Sequence, residues 1–403
     1  VRASWGQVGN IGSVRRFIYA PPYQVTGWPL FLGPTGEIQA YGIFQPTIPN
    51  PKLKWERTEQ SNIGIDASML KNSLNVTIDY FIKKTRDLIE QMPMPSVAGV
   101  ASPPEFNVGQ VENKGWEFSV NYTKNLGTVN LNIGGNLATF KNKVISIGET
   151  GFIAHSDGVN SMNPLRSTAG QPWHSFFLIE SEGLFRSQKE IDDYTWTDPV
   201  SGDIKQIQPN ARPGDLKFLD KDNNGSINDG DRVYMGAYDV PDFTYGFNLS
   251  AKWKNFSLSA FLQGVSGVKV FNGIKAMSYT GSKGWNMSVD VLDSYNYNPN
   301  ANIPNLAVVE DPNGNFSKVS SYFLDRADYM RIKNLHLSYT LPSELLSNIS
   351  FLNNTRVQLY INAENLVTIT KYSGFDPEVG NRGVDGGRFP VSRMYSVGMN
   401  VAF

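Results

Sequence analysis

Strict alternation of apolar and polar residues is the dominant pattern along this chain. Between residues 74 and 82, Leu74, Val76 and Ile78 share one face, whereas Asn75 and Thr77 share the other. A period of two residues is typical of a β-strand with one apolar and one hydrophilic side. The pattern recurs at 62–70, 74–82, 116–122, 129–137, 243–253, 256–262, 334–341, 357–364 and 395–403, and more weakly at 2–8 and 174–184. We therefore predict an all-β chain with about eleven strands.

The connections between these segments alternate between short and long. The short ones, at 71–73, 124–127 and 254–255, contain the Asn and Gly residues that favour hairpin turns. The long ones span 83–115, 139–173, 264–328 and 366–391. A β-barrel of the bacterial outer membrane has this layout, because its periplasmic turns are short and its extracellular loops are long. The last strand follows a long connection, so it is expected to end on the periplasmic side.

A soluble β-sandwich or propeller is the alternative, since its strands also alternate with one face in a protein core. Aromatic residues at strand ends favour the barrel, where they form girdles at the lipid interfaces. These residues are Tyr80, Trp116, Tyr122, Trp253 and Tyr395. Because the first strand begins at residue 2 without a preceding turn, we expect a larger parent barrel. Plugged transporters of about 22 strands are the matching class.

Composition narrows the function classes further. Among the 403 residues, 12 % are aromatic, 18 % are charged and 37 are Gly, which suits β-structure with many turns. The net charge of -1 shows no basic excess, so nothing points to nucleic acid as a partner. Cysteine is absent, which excludes thiolate metal sites and cysteine nucleophiles. No apolar run reaches the roughly 18 residues that a transmembrane helix needs.

The beginning of the chain indicates a fragment. The first ten residues, VRASWGQVGN, lack the basic start and apolar centre of a signal peptide, and the first residue is Val1. We expect a mature or internal piece of a longer protein. The open edges of such a piece should not close into a barrel by themselves.

Several motifs in a fixed order resemble the SusC/RagA family of TonB-linked (TonB-dependent) outer-membrane transporters. They include NPKLKWE with the following NIGID, DYFIKKTRDL, NKGWE, PDFTYGF, YMRIKNL with YTLP, and NL before YSGFDP. Their positions are 50–56, 62–66, 79–88, 113–117, 241–247, 329–335, 339–342, 365–366 and 372–377. The likeness runs from about residue 1 to the end of the chain.

The resemblance implies that residues 1–403 are the C-terminal portion of a TonB-dependent receptor β-barrel, an antiparallel transmembrane barrel of about 22 strands. The signal peptide, N-terminal extension and plug domain of that family are absent from this chain. The implied location is the outer membrane of a Gram-negative bacterium, specifically one of the Bacteroidota, with the barrel crossing the lipid many times.

The implied function is import of oligosaccharides together with a SusD-like surface lipoprotein. TonB–ExbB–ExbD would supply energy through the missing N-terminal part. Peptide import by the same type of barrel is the first alternative, and a soluble secreted glycan-active β-protein is the second. A surface adhesin barrel is a third. The resemblance is to transporters, so we do not expect an enzyme.

The sharpest local motif is DKDNNGSINDGD at 220–231, which has the spacing of a twelve-residue EF-hand loop. The oxygen ligands that this spacing predicts are Asp220, Asp222, Asn224, Ser226 through its main-chain carbonyl, and Asp231. Gly225 permits the sharp turn, but the last ligand is Asp instead of Glu, and no helical pattern flanks the loop. We predict a structural Ca²⁺ that stiffens an outer loop. The alternative is a metal-free turn rich in Asp and Asn.

No catalytic constellation stands out in the sequence. The three histidines, His155, His174 and His336, are far apart and lack the spacing of metal ligands. His336 lies on the polar face of a predicted strand, which indicates a hydrated lumen position. No catalytic residue or organic cofactor is predicted, and the substrate-binding residues are not identifiable.

Two aromatic features carry hypotheses about binding. The loop residues Tyr23, Trp28, Trp173, Trp196 and Trp285 suit either stacking on sugar rings or packing within loops, and we favour packing. The final strand, 393–403, ends in the aromatic Phe403 and resembles the signal that the barrel-assembly machinery recognises. An ordinary last strand is the alternative.

Overall fold

A computed structural model describes the chain except residues 11, 13–16, 28, 33, 37, 93, 95–96, 98, 100–101, 149–150, 237–239, 283, 347–354, 380–381 and 403. In chain order its strands are β1 (Arg2–Asn10), β2 (Gln24–Val25), β3 (Leu30–Leu32), β4 (Ile38–Ala40), β5 (Ile43–Phe44), β6 (Glu56–Met69), β7 (Leu74–Gln91), β8 (Glu105–Leu126), β9 (Val129–Thr139), β10 (Lys141–Ile147), β11 (Phe152–Ala154), β12 (Leu165–Thr168), β13 (Ser175–Ile179), β14 (Ser181–Leu184), β15 (Thr195–Thr197), β16 (Ile204–Gln206), β17 (Leu216–Phe218), β18 (Arg232–Tyr234), β19 (Phe243–Trp253), β20 (Phe256–Ser266), β21 (Lys269–Asn272), β22 (Leu324–Arg326), β23 (Tyr329–Thr340), β24 (Arg356–Thr370), β25 (Val384–Asp385) and β26 (Met394–Ala402). The helices are α1 (Gln188–Asp192), α2 (Gly273–Ser278) and α3 (Ser343–Leu346).

One antiparallel sheet of eleven strands forms the wall of the molecule. Its order is β1-β6-β7-β8-β9-β19-β20-β23-β24-β26, and β10 also pairs with β8. Strands follow one another around the wall, and tight turns alternate with long connections; Gly127–Thr128 is a tight turn, since Leu126 pairs directly with Val129. The up-and-down order is that of an antiparallel barrel wall. The predicted all-β fold is confirmed.

The outer face of the wall carries apolar side chains that no second layer of the described chain covers. Phe118, Phe247 and Leu359 are 38 %, 41 % and 44 % exposed, and Val76 is partly exposed. A β-sandwich would bury these residues between two sheets. The structure therefore contradicts the soluble-sandwich alternative and leaves this face for lipid.

No helix among the described residues is both long enough and apolar enough to cross a membrane.

Aromatic rings meet on the outer face at both ends of β19. Near the short turns, the ring of Phe256 lies 6.2 Å from that of Trp253 and 4.6 Å from that of Tyr339. Near the other end, the rings of Tyr80 and Trp116 lie 4.7 Å apart. Two aromatic groups at opposite ends of an apolar belt match the predicted girdles.

The sequence misplaced one of the eleven wall strands. The segment 174–184 forms β13 and β14, which belong to smaller sheets and not to the wall. The eleventh strand is β10, whose Lys141 pairs with Lys114 of β8. β10 pairs with β8 directly beyond the part of β8 that pairs with β9. Its sequence, KNKVISI, does not alternate between apolar and polar residues, so the pattern did not reveal it.

The predicted long connection 83–115 is also wrong in its bounds. β7 continues to Gln91 and β8 begins at Glu105, so the connection is 92–104. Both strands extend beyond the apolar belt, where charged side chains occupy both faces and end the alternation. There Lys84 pairs with Glu112 across 3.4 Å. Backbone pairing continues where the hydrophobic pattern stops.

The largest buried core lies in the long connections and not in the wall. Phe176, Leu178, Phe271 and Phe323 are fully buried in one cluster. The four-stranded sheet β11-β12-β13-β18 forms one side of this region. We call the folded parts of the long connections the loop layer. Because it has its own core, the layer can hold side chains in fixed positions at one end of the wall.

Candidate functional site

The inner face of the wall is lined by polar side chains, many of them neutral, that bond to one another across strands. Asn132 donates to the Thr123 hydroxyl at 2.9 Å, and Asn334 donates to the Asn362 carbonyl oxygen at 3.0 Å. His336 lies on this face beside Tyr360, with ring centroids 5.3 Å apart, as predicted for a lumen position. Such a surface suits water and hydroxyl-bearing solutes.

A recess of about 470 Å³ opens on this inner face. Its polar lining includes Thr77, Asp79, Glu117, Ser119, Asn136 and Gln263. The recess is broad, and its lining comes from five strands of the wall, β7, β8, β9, β19 and β20. Its mixture of amides, hydroxyls and carboxylates offers both donors and acceptors to a polar ligand.

The predicted metal loop brings its three aspartates together. One carboxylate oxygen from each of Asp220, Asp222 and Asp231 lies within 4.8 Å of the other two. Gly225 has a φ of +78°, the left-handed conformation that the sharp turn requires. The sequence spacing therefore produced the expected clustering.

The other two predicted ligands lie beside the aspartates but make local bonds. Asn224 donates its amide to Asp222 at 2.8 Å and accepts the Ser226 main-chain N–H at 2.9 Å. The Ser226 carbonyl accepts a bond from Asn228 at 3.3 Å. All five predicted ligands are oxygen donors, which is the donor type that Ca²⁺ accepts.

The electrostatics of the loop favour a bound cation. Asp231 is fully buried, and its oxygens accept the main-chain N–H groups of Lys221 and Asn228 at 2.7 and 2.8 Å. No basic side chain in the described part of the chain forms an ion pair with the three aspartates. Partial desolvation, and then the Asp231 charge, raise the pKa of the Asp222 carboxyl. A divalent ion would offset this repulsion, so the residues fit the predicted Ca²⁺.

The loop aromatics divide between packing and exposure. The Trp196 indole donates to the Asn223 carbonyl at 2.9 Å and lies against Gly225, so it packs on the metal loop. Trp173 packs in a ring cluster with His155. Tyr23 and Trp285 are exposed, and Trp28 lies outside the described residues. Packing was the favoured interpretation for all five residues; the structure bears it out for Trp173 and Trp196 and not for the exposed Tyr23 and Trp285.

Two histidines that are far apart in sequence meet in the structure, which corrects the expectation that all three are separate. The rings of His155 and His174 lie 4.4 Å apart. The His155 Nε2 atom is 2.8 Å from the Ser167 hydroxyl, which also accepts the His174 main-chain N–H at 3.0 Å. Burial lowers the pKa of His155 to about 4 and that of His174 to about 3. Both rings are therefore neutral at pH 7. His155 follows β11 and His174 precedes β13, and the two meet at Ser167 of β12, which lies between these strands.

Sequence analysis missed a buried ion-pair cluster between β23 and the last long connection. Arg331 is 1 % exposed and pairs with Asp376 at 2.6 Å and with Glu378 at 2.8 Å. Thr368 accepts a third bond from the same guanidinium at 2.8 Å. Arg331 and Asp376 lie inside two of the motifs noted above, but no local spacing rule links these motifs, and Glu378 and Thr368 lie outside them. The cluster fixes the 371–393 connection against the wall.

A sequence model described as "TonB dependent receptor-like, beta-barrel" matches residues 1–366. The TonB-dependent receptor P3 of Formosa agariphila is 31 % identical over 422 residues, which cover 100 % of this chain and 39 % of that protein. The TonB-dependent receptor SusC of Bacteroides thetaiotaomicron is 26 % identical over 414 residues, with 100 % of this chain and 37 % of SusC covered. This chain thus spans well under half the length of these relatives.

Solved structures show the same fold. The structure of the RagAB peptide transporter matches with a TM-score of 0.75 at 23 % identity, covering 99 % of this chain and 40 % of that chain. The RagAB peptide importer in the open-open state matches with a TM-score of 0.74 at 23 % identity, covering 100 % and 40 %. At this identity the likeness concerns the fold.

Proposed function

Because this chain belongs to the TonB-dependent receptor family of outer-membrane β-barrels, we propose that residues 1–403 form the C-terminal portion of a nutrient importer. One observation carries the proposal: the wall is apolar and exposed on one face and polar on the other. In a membrane, the first face contacts lipid and the second encloses an aqueous path. The family consists of outer-membrane transporters of Gram-negative bacteria and not of enzymes.

The complete barrel in this proposal has about 22 strands. In the described residues, β1 and β26 each have a single strand neighbour, so each offers an unpaired edge. In lipid, every backbone N–H and C=O group needs a partner, so a spanning sheet has to close. The remaining strands and a plug belong to parts of the parent protein outside this chain.

The proposed substrate is an oligosaccharide. The amides, hydroxyls and carboxylates of the inner recess form hydrogen bonds of the kind that sugar hydroxyls accept and donate. The transporter in the RagAB structures carries peptides, so peptide import is the alternative for this barrel type.

Uptake by the native bacterium distinguishes the two substrates. We expect deletion of the gene to abolish uptake of labelled oligosaccharides and to leave uptake of labelled peptides unchanged. Ser119→Trp narrows the recess and should lower uptake severalfold in a complemented strain. Val120→Trp, on the outer face of the same strand, is the matched control and should not. Loss of peptide uptake alone would overturn the oligosaccharide proposal.

The proposed partners are a SusD-like lipoprotein at the extracellular end and TonB–ExbB–ExbD, contacted through the N-terminal part of the parent. A tagged full-length protein should retain the lipoprotein in mild detergent. Dissipating the proton-motive force should stop uptake without releasing the lipoprotein. Uptake that continues without the proton-motive force would contradict coupling to TonB.

We also propose that Ca²⁺ binds Asp220, Asp222, Asn224, Asp231 and the Ser226 carbonyl and stiffens the loop. Its support is the clustering of three carboxylates with no basic partner in the described residues. In outer membranes, Ca²⁺ should slow proteolysis within 220–231 about tenfold relative to chelator, and Mg²⁺ should not. Asp222→Asn should abolish the protection, whereas the exposed Asp229→Asn should keep it. Equal cleavage of the native protein with and without Ca²⁺ would count against the site.

The final strand is proposed to carry the signal for the barrel-assembly machinery. Phe403 lies outside the described residues, but β26 ends next to it at Ala402. Deletion of Phe403 in the full-length protein should reduce the amount assembled in the outer membrane severalfold. Phe403→Tyr keeps an aromatic end and is the control. Full assembly after the deletion would mean that β26 is an ordinary last strand.

A further inference from the structure

The sheet β11-β12-β13-β18 of the loop layer has one buried face and one partly exposed face. The buried face packs Ile153, Leu165, Phe176 and Leu178 into the core. The other face presents aromatic rings interleaved with guanidinium groups. We call this face the aromatic–arginine platform, and its members are Phe152, Arg166, Phe177, Arg232 and Tyr234.

The platform holds Arg166 by stacking. The guanidinium carbon of Arg166 lies 3.6 Å from the ring centroid of Phe152 and 4.5 Å from that of Phe177. The Tyr234 ring lies 4.8 Å from the Phe177 ring and extends the surface. Stacking on two rings restricts the guanidinium to one orientation, so little side-chain entropy remains to be lost on binding.

Arg166 has no hydrogen-bond partner within the described residues. Its Nε atom is buried and unbonded, and no carboxylate of the described chain lies within ion-pair distance of it. Arg232 differs, because its guanidinium donates to the main-chain carbonyls of Phe177 at 2.9 Å and Asn163 at 2.6 Å. Arg232 thus stabilises the local fold through its own hydrogen bonds. Arg166 is held in one orientation but has no counter-ion among the described residues.

Arg166 and Arg232 place two positive charges on the platform. Burial and the nearby Arg166 charge lower the pKa of Arg232, and Asp229 opposes that shift. Two guanidinium groups share this face, and among the described residues Asp229 is the acid that acts on Arg232. A carboxylate from outside the chain would relieve the repulsion and pair with a partly desolvated arginine, where charge-assisted bonds are strong.

We propose that the aromatic–arginine platform docks an acidic segment of the SusD-like lipoprotein, with a carboxylate on Arg166. The inference rests on the proposed function for the existence of that partner. Charge complementarity selects an acidic partner. The exposed sheet face is open and does not enclose a small ligand. Arginine and aromatic residues are enriched in protein–protein hot spots. When the lipoprotein docks, Phe152, which is 37 % exposed, gains an apolar contact with it.

The test measures binding of purified lipoprotein to the full-length importer in detergent. Arg166→Met keeps the stacked volume and removes the charge, so the dissociation constant should rise about tenfold or more. Arg166→Glu should weaken binding further, and exchange of the contacting lipoprotein carboxylate for Arg, found by an acid-to-Arg scan of its acidic segments, should restore it. Lys205→Glu, an exposed charge reversal elsewhere in the loop layer, is the matched control and should bind normally. Heat-modified gel mobility confirms that each variant is assembled.

The outcomes separate the two proposals. Lipoprotein that binds native protein and both Arg166 variants with equal affinity overturns the platform alone. Native protein that binds no lipoprotein overturns the partnership, and the platform proposal falls with it. Normal lipoprotein binding with reduced uptake of acidic substrates would assign Arg166 to a small anionic ligand and would also overturn the docking proposal.

Discussion

At the scale of single residues, buried charges in this protein hold connections in place. Arg331 on β23 makes its three side-chain bonds to groups on β24 and the 371–393 connection. A guanidinium that is 1 % exposed is stable only with such complete pairing. The cluster therefore links the wall to the last long connection.

Removal of the Arg331 ion pairs should increase the mobility of the 371–393 connection. Arg331→Met leaves Asp376 and Glu378 without their buried partner, which costs about 3–5 kcal/mol of local stability. We expect rapid proteolysis between 371 and 393 in the assembled protein. Arg326→Met is the control, because Arg326 pairs with Asp328 at the surface, where an ion pair contributes about 0–1 kcal/mol. Equal cleavage rates in the two variants would show that Arg331 does not hold the connection.

The histidine pair predicts a pH dependence of the loop layer. The pKa values of about 4 for His155 and about 3 for His174 lie below 6.5, the value expected once the segment opens. The opened state therefore binds more protons, and closure loses stability as the pH falls from about 6.5 towards 4. Each bound proton should increase the opened population up to about tenfold per pH unit.

Hydrogen exchange of segment 152–175 at pH 7, 5.5 and 4.5, corrected for intrinsic rates, measures this effect. His174→Gln should flatten the dependence. His336→Gln, on the inner wall, should leave it unchanged. Exchange in the native protein that is equal at all three pH values would contradict the burial of neutral rings.

At the scale of elements, sequence alternation located strands only where one face meets lipid. In β19, eleven consecutive residues alternate, and the structure has the strand at the predicted bounds. In β10 and in the outer half of β7, polar and apolar residues do not alternate, so pairing depends on the neighbouring strand and leaves no pattern with a period of two. The period of two reports the environment of a strand and not its backbone pairing.

The contacts in the candidate site were also only partly predictable from the sequence. The three aspartates of 220–231 were identified because a metal loop gathers its ligands within twelve residues. The contact of His155 with His174 depends on a turn between strands, and that of Arg331 with Asp376 spans 45 positions. Contacts that tertiary packing creates have no spacing rule, so a single sequence does not reveal them.

Substitutions on β19 test which face meets lipid. Phe247 lies on the exposed outer face, and Phe247→Arg places a charge in the hydrocarbon at a cost of about 2–4 kcal/mol near the midplane. Ser250 lies on the inner face of the same strand, so Ser250→Arg should cost much less. Unfolding by denaturant in lipid vesicles measures both variants of the full-length protein. A larger loss for Ser250→Arg would reverse the assignment of the two faces.

At the scale of the whole molecule, two kinds of stabilisation are separated in space. The wall has partly exposed apolar side chains on its outer face and relies on backbone ladders and surrounding lipid. The loop layer has fully buried residues such as Phe176 and Phe271 and therefore has its own hydrophobic core. Because this core does not depend on the wall's outer face, the layer can present rigid binding surfaces.

The open edges of the wall lead to a prediction about assembly. β1 and β26 each leave one row of backbone N–H and C=O groups without a strand partner in the described residues. Unpaired groups in hydrocarbon cost several kcal/mol each, and exposed edges in water promote aggregation. Residues 1–403 produced alone should therefore fail to give the heat-modifiable gel band of a closed barrel. Co-expression of the remaining part of the parent protein should restore the band, and an unrelated barrel fragment should not. A closed, detergent-stable barrel from residues 1–403 alone would show that β1 and β26 pair with each other.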